Sequence, residues 1–286
     1  INNRIAQLGL RIKPGETVEV VHGQRSHQQV DVEREYFEMM KRSGVTQAMA
    51  REKMRTLPTL IGAMYLRRGY VDGMLCGMRG TFDEHLRNIR EVIPLRQGVT
   101  TLAAMNMLLL TDRQLFICDT YVNRNPDARQ IAEITLLASE EVRRFGLTPS
   151  VALLSHSSFG SSKASEAKKM RRAAAILAET APELDVDGEM RGDSALIHRL
   201  LQEVMPDARL THDANLLVMP SVDAANIAYN LLKVTSSNNI TVGPVLLGTR
   251  KPAHIIEPTA SVRRIVNMAA LTAVDAARND DVGISD

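Results

Sequence analysis

Apolar positions along this chain fall into two alternating patterns: short unbroken runs that read as buried strands, and longer stretches where they recur every three or four residues, as on one face of a helix. The second half shows this most clearly. "VALLSHS" is a predicted strand and Lys163 to Ala178 a helix; "LDVDGEM" is a strand and Ser194 to Val204 a helix. "NLLVMP" and Ala224 to Val234 repeat the pair, as do "NITVGPVLL" and Ser261 to Ala277. Upstream, Asn125 with Pro126 predicts a helix start, and Ile131, Ile134, Ala138, Val142 and Phe145 mark its buried face up to Gly146.

The first half is less regular. Val18 to Val21 reads as a short strand, Val32 to Lys41, Thr46 to Arg55 and Leu57 to Arg68 as three helices, and Val71 to Cys76 as a strand entering a bend at Gly77 and Gly80. Phe82 to Ile93 follows as a helix, and "TTLAAMNMLLL" and "QLFICDT" as strands paired through a Thr-Asp-Arg turn. The alternation predicts an α/β architecture built on a mostly parallel sheet.

Composition narrows the functions this chain can have. Its 286 residues make one large or two ordinary domains, and 44% apolar with 24% charged residues is a globular balance. Aromatics at 3% and the lack of Trp argue against sugar or single-strand nucleic-acid platforms. A formal charge of +2 leaves no general footprint for nucleic acid, although Arg171-Arg172 and Arg263-Arg264 are local patches able to meet a small anion. Cys76 and Cys118 read as reduced buried thiols, and the apolar run from Leu102 to Leu110, broken by Asn106, is too short to span a bilayer. With no signal peptide, the expected compartment is the cytoplasm. The opening Ile-Asn-Asn reads as the middle of a unit, so the chain is expected to be a piece of a longer polypeptide.

Known phosphate-binding motifs are missing: there is neither G-x-x-x-x-G-K-[ST] nor G-x-G-x-x-G. In their place "LLSHSSFGSS", residues 153 to 162, offers backbone N–H groups and hydroxyls as an anion cradle, against the plainer reading that its serines cap a helix. Asp185, Asp187, Glu189 and Asp193 gather acid, with Asp187 and Glu189 pointing to one side by strand alternation, but no ligand at helical spacing completes a metal shell. The seven histidines (His22, His27, His85, His156, His198, His212, His254) read as surface or capping residues, with His156 singled out by its place in the turn. Asp223 reads as a cap and Asn226 as reaching a neighbouring loop, while Met39, Met40, Met49 and Met54 read as core filler. The stretch "GPVLLGTRKPAHIIEPTASVRRIV", residues 243 to 266, is a hook whose prolines and glycines fix one backbone shape. It holds Glu257 beside Pro258 with neither nucleophile nor base next to it in sequence.

"VALLSHSSFGSSKASEAKKMRRAA", "DVDGEMRGDSAL", "ANLLVMPSVDAANIAYNLL" and "VGPVLLGTRKPAHII", in this order, resemble the phosphate acetyltransferase (phosphotransacetylase) family from about residue 30 to 277. The resemblance implies two α/β domains with a CoA-holding cleft between them, in the isocitrate/isopropylmalate dehydrogenase-like arrangement. Residues 1–96 with 243–286 would form an outer domain lacking the family's first strand and helix, and residues 97–242 an inserted one. Active members carry Ser-Arg-Gly in the hook, the Ser serving as base toward the CoA thiol and the Arg gripping phosphate, with an Asp on the next helix. Here those places hold Glu257, Pro258 and Thr259, and Arg264 stands where the Asp is expected; Phe159 replaces a Lys of the Ser-rich turn, while Arg87 matches a substrate-binding arginine.

"SHSSFGSS", "DGEM" and the Pro-Thr-Ala-Ser-Val-Arg-Arg hook further resemble the carboxyl-terminal phosphotransacetylase-like domains of bacterial NADP-dependent malic enzymes. That likeness implies a regulatory and assembly module without a catalytic residue or metal of its own, self-associating as a dimer or larger. Acetyl-CoA would be its effector, and NADP and a divalent metal would belong to an amino-terminal malic enzyme region. The implied cleft residues are Arg87, Ser155, Ser157, Ser158, Gly160, Ser161, Asn226, Gly243, Pro244, Gly248, Lys251, Glu257, Thr259 and Ser261. A working acetyltransferase and a purely architectural module with no CoA ligand are the rival expectations; neither nucleic acid nor membrane is an expected partner.

Overall fold

The computed structural model describes residues 2–21, 27–236 and 240–281. In chain order the elements are α1 (Asn2–Gln7), α2 (His27–Met40), a 3-10 turn (Lys41–Ser43), α3 (Gln47–Thr56), α4 (Pro58–Arg67), β1 (Met74–Cys76), α5 (Phe82–Val92), β2 (Ala103–Leu109), β3 (Gln114–Cys118), α6 (Ala128–Arg144) and β4 (Ser150–Leu154). They continue as α7 (Ser165–Thr180), β5 (Asp185–Met190), α8 (Gly192–Leu196), α9 (His198–Val204), β6 (Leu216–Val218), α10 (Val222–Thr235), β7 (Ile240–Leu247), β8 (Ala253–Ile255) and α11 (Val262–Asp281).

Six strands form the main sheet in the order β5-β4-β6-β3-β2-β7. It is mixed rather than mostly parallel: β5, β4, β6 and β3 run parallel, but β2 pairs antiparallel with both β3 and β7. The reason is local, because a Thr-Asp-Arg turn joins β2 to β3 directly and leaves no room for a crossover helix. Strand alternation sends Phe116 and Cys118 toward α6, α7 and α11, and Leu115 and Ile117 toward α8, α9 and α10, giving helices on both faces. A second core joins α2 to α5 with the parallel pair β1-β8, around Tyr36, Leu60, Met64 and Ile89.

Several expectations shift. Val18 to Val21 is not a strand; only an isolated bridge links Pro14 to Val18, and Val20 is 43% exposed, so the alternation has no partner to pair with. The strand expected from Val71 begins at Met74, and the helix expected from Asn125 begins at Ala128. Asp127 caps that helix and forms a capping box with Gln130. Ser194 to Val204 divides at Ile197 into α8 and α9, and Ser221, not Asp223, caps α10 by accepting from Ala224 N. Met54 is buried core, but Met49 is 47% exposed. His254, expected at the surface, is buried in β8, and His22 lies outside the described residues. Both cysteines are free; burial pushes the Cys76 thiol up to about 12, and Cys118 is also raised. Among the described residues no helix is long and apolar enough to cross a membrane.

Candidate functional site

The hook is anchored by close backbone approach. A Cβ on Gly243 would lie 2.8 Å from both Asn106 Oδ1 and Met105 O, so only glycine lets β7 run this near β2. Gly243 O accepts from Arg264 Nε at 2.7 Å. Arg264 lies in the first turn of α11, expected to meet an outside anion with Arg263, but it is 6% exposed and turned inward. Its Nη1 donates to Glu257 Oε2 at 2.7 Å, and its Nη2 donates to Tyr229 Oη at 3.2 Å and to Asn106 Oδ1 at 3.4 Å.

Glu257 is thus not solitary, as the hook sequence suggests. Its other oxygen accepts from the Tyr121 hydroxyl, whose ring stacks on Phe82 with centroids 4.6 Å apart. The Asp119 carboxylate puts Tyr121 there by accepting the N–H groups of Ala104, Tyr121, Val122 and Asn123, which bends the chain sharply after β3. Burial raises the Asp119 carboxyl, and those four N–H groups oppose the rise. Asn106 donates to Thr120 Oγ1 at 2.7 Å and Asn226 to Thr120 O at 3.2 Å, so β2, the turn after β3, α10, the hook and α11 share one network.

Its electrostatics are self-contained. Burial works against the Glu257 charge, but the Tyr121 hydroxyl and the Arg264 guanidinium outweigh it and hold the carboxyl below its usual range. Burial, then the Glu257 hydrogen bond and charge, raises Tyr121; burial also raises Tyr229. Carboxylate and guanidinium neutralise each other and the tyrosine stays a donor. Each of the three groups thus has its partner within the network.

The Ser-rich turn makes a second network, centred on one oxygen of the buried Glu189 carboxylate, whose Oε2 has no hydrogen bond among the described residues. Ser157 Oγ at 2.7 Å, Gly160 N at 3.0 Å and Arg171 Nη1 at 2.9 Å all donate to Glu189 Oε1. Phe159, in the left-handed region at φ 47°, donates its N–H to Glu189 O. The N–H groups of Ser157, Ser158 and Ser162 go to Ser155, Ser161 and Ser157 hydroxyls, and Ser161 N goes to Ser158 O. The cradle therefore already holds a carboxylate, supplied by the chain itself. The serines do not cap α7, whose N-cap is Ala164 without a side-chain bond. His156 Nε2 meets Ser162 Oγ at 3.1 Å.

Asp187 and Glu189 are both buried, but in separate roles: Asp187 accepts from Gly188 N and Arg209 N and never meets the Glu189 group. Asp185 binds Ser150 and Thr211, Asp193 pairs with Arg191, and no cluster of metal-ligating residues occurs among the described ones. Of the expected cleft residues, Gly243, Asn226, Glu257 and Ser261 join the Arg264 network, Ser261 Oγ accepting from Arg264 N at 3.3 Å. Ser155, Ser157, Ser158, Gly160 and Ser161 join the Glu189 network. Pro244 is buried in β7, Gly248 O accepts from Arg96 N, and a Cβ on Gly69 would come 3.8 Å from Lys251 Nζ. Arg87 and Thr259 are exposed. Sequence reasoning missed Tyr121, Tyr229 and Asn106 as partners; only Asn106, a polar residue interrupting an apolar run, carried a signal.

The mixed α/β sheet, with the glycine-proline hook running out of its edge strand β7, has the fold of the phosphotransacetylases. The chain belongs to the phosphate acetyl/butaryl transferase family, whose profile matches residues 1–273. It is 51% identical over 276 residues to the C-terminal region of the NADP-dependent malic enzyme of Escherichia coli, covering 96% of this chain and 36% of that protein. It is 32% identical to a phosphate acetyltransferase of Nitratidesulfovibrio vulgaris, covering 96% of this chain and 38% of the relative. The chain thus spans little more than a third of the length of these two relatives. A phosphotransacetylase structure from Staphylococcus aureus superposes with TM-score 0.81 at 26% identity, covering 97% of this chain and 83% of that one.

Proposed function

We propose that this chain is the non-catalytic, acyl-CoA-sensing part of a malic enzyme, acting in the cytoplasm on behalf of an NADP- and metal-dependent region elsewhere in the same polypeptide. Acetyl-CoA is the proposed effector, held in a cleft between residues 1–96 with 243–286 and residues 97–242. The observation that carries this reading is the Glu257–Arg264 pair at 2.7 Å, because it fills the hook with a neutralised couple where transfer chemistry needs a proton acceptor and a free anion clamp. Since the turn amides donate internally, the ligand's phosphates are assigned to side chains, Arg87 and Lys251 first. Bias of about 1–3 kcal/mol between two domain orientations suffices for such control.

Purified chain mixed with CoA and acetyl phosphate should form no thioester, while calorimetry should detect acetyl-CoA binding that Arg87→Ala with Lys251→Ala weakens by about tenfold or more, the loss of charge-assisted phosphate contacts. Turnover on the order of 1 per second or faster would place the chain among working transferases. Absent heat of binding would leave only an architectural role.

Self-association belongs to the same proposal. Ile227, Leu231 and Val234 form an apolar stripe on α10 at 59%, 60% and 70% exposure, a face suited to a second copy of this chain. Sedimentation should show the wild type as a dimer or larger and Leu231→Glu as a monomer. A monomeric wild type, or an unchanged variant, counts against this face.

A further inference from the structure

Away from the Arg264 network, a small cavity of about 50 Å³ lies where the C-terminal part of α6, α11 and the β7–β8 turn of the hook converge. Three side chains at least nine-tenths buried line it and each leaves one polar atom without a hydrogen bond among the described residues: Glu141 Oε1, Asp275 Oδ1 and His254 Nε2. Buried polar atoms are nearly always paired, so three orphans on one cavity call for a shared partner.

Hydrogen bonding fixes the histidine's tautomer. Leu246 N donates to His254 Nδ1 at 3.1 Å, so the ring proton of the neutral imidazole sits on Nε2, which faces Asp275 Oδ2 at 3.5 Å. The ring then has a donor, not a metal-binding lone pair, turned to the carboxylates. Charge counting points the same way. From α6 the cavity is faced by Glu140, Glu141 and Arg144, from α11 by Asp275, from β8 by His254, and from the segment before β2 by Arg96. Arg96 takes Glu140 in a bidentate pair at 2.7 and 2.6 Å. Arg144 is left to share between Glu140 at 3.2 Å, Glu141 at 3.0 Å and Asp275 at 3.6 Å. With every carboxyl ionised, acids outnumber guanidiniums by one around the buried Glu141, Asp275 and His254 side chains.

We propose that Glu141, Asp275 and His254 form a proton-operated latch, in which one proton taken from solvent and held between the two carboxyls fastens the hook to α6 and α11. A proton on Glu141 Oε1 turns an orphaned acceptor into a donor for Asp275 Oδ1, directly or through one water that also accepts from His254 Nε2, and removes the excess negative charge. Burial, with the Asp275 charge second, raises the Glu141 carboxyl to about 7, against the opposing pull of Arg144. The latch is independent of acyl-CoA sensing and of any partner.

The sign follows from linkage. Glu141 binds its proton more tightly in the closed latch than in water, so the stabilisation is complete below about pH 4, its unfolded value, and lost as pH rises through about 7. Hydrogen exchange of the Leu246 amide, which donates to His254, reads the opening in the full chain once the intrinsic pH dependence of exchange is divided out. The opening constant should rise about tenfold per unit between pH 5 and 7 and level off above. Glu141→Gln, which keeps the shape of the protonated acid, should make it independent of pH. Asp275→Asn, which removes the repulsion, should move the midpoint down, and it serves as the second variant if the first does not fold. A wild-type profile as flat as that of Glu141→Gln overturns the latch, as does an Asp275→Asn profile with an unmoved midpoint.

Discussion

Replacing Arg264 with methionine is expected to cost roughly 3–5 kcal/mol of stability, the range for breaking a buried ion pair from one side. Methionine fills the aliphatic part of the arginine, so little of the loss comes from packing. What remains is a carboxylate, the Gly243 carbonyl and the Tyr229 hydroxyl deprived of a shared donor. Glu257 is 23% exposed and can recruit water or take up a proton, which places the expected value near the lower end. Removing both charges in Arg264→Met with Glu257→Leu should recover most of the loss, because the penalty belongs to the uncompensated charge and not to the pair. Urea denaturation of both variants measures it. The carboxyl of Glu257 is depressed in the folded chain, so its share of stability is present above about pH 4, its unfolded value, and lost as pH falls through the folded one. In Arg264→Met that acid-dependent loss should shrink. A cost below about 1 kcal/mol, in the range of surface pairs, would show that the network does not hold the hook.

The same residues mark how far the sequence reaches. Helix faces such as Ile131, Ile134, Ala138 and Val142 were legible because burial on one side of a helix imposes its own period on the chain. The strand expected at Val18 failed for the converse reason: alternation is necessary for a half-buried strand, but pairing requires a neighbour that local pattern does not contain. β8 has three residues, too few for any period, and the place of β2 inside the sheet follows from β7 returning beside it, a contact between distant segments. In the hook, prolines and glycines announced a fixed shape, and the family resemblance picked out Glu257 within it. Its partners stayed hidden. Tyr121 lies 136 residues away, and Arg264, though only seven residues on, read as a lost acid and a surface patch rather than the counter-charge of Glu257. The serine turn read as an anion cradle for an outside ligand, and in the structure Ser157 and Gly160 donate instead to Glu189, one strand over. Which groups a site already contains is set by tertiary placement, and spacing alone does not carry it.

Gly77→Ala is expected to be the most damaging small substitution near the hook. A Cβ at that position would lie 1.9 Å from Ile256 O and 2.9 Å from Ile256 C, and the backbone φ of +109° is one that residues with a side chain rarely adopt. The obstacle is main chain, which has no rotamer to change. Ile256 N also donates to Cys76 O at 2.8 Å, so the two segments cannot part without breaking the β1–β8 edge. Ile256 immediately precedes Glu257, and any retreat of the hook carries the carboxylate away from Arg264 and Tyr121. Overpacking, strain and a broken polar network together place the cost above about 4 kcal/mol, in the rare tail of single substitutions. Gly146→Ala separates the contributions: φ is +79° there as well, but nothing lies within 4 Å of the added carbon, so only conformational strain is felt, about 1 kcal/mol. Urea denaturation of the two variants decides it, and failure of Gly77→Ala to fold beside a folded Gly146→Ala counts with the argument. Equal costs would mean that the approach of β1 to the hook is looser than 1.9 Å implies, and that Glu257 is held by its ion pair alone.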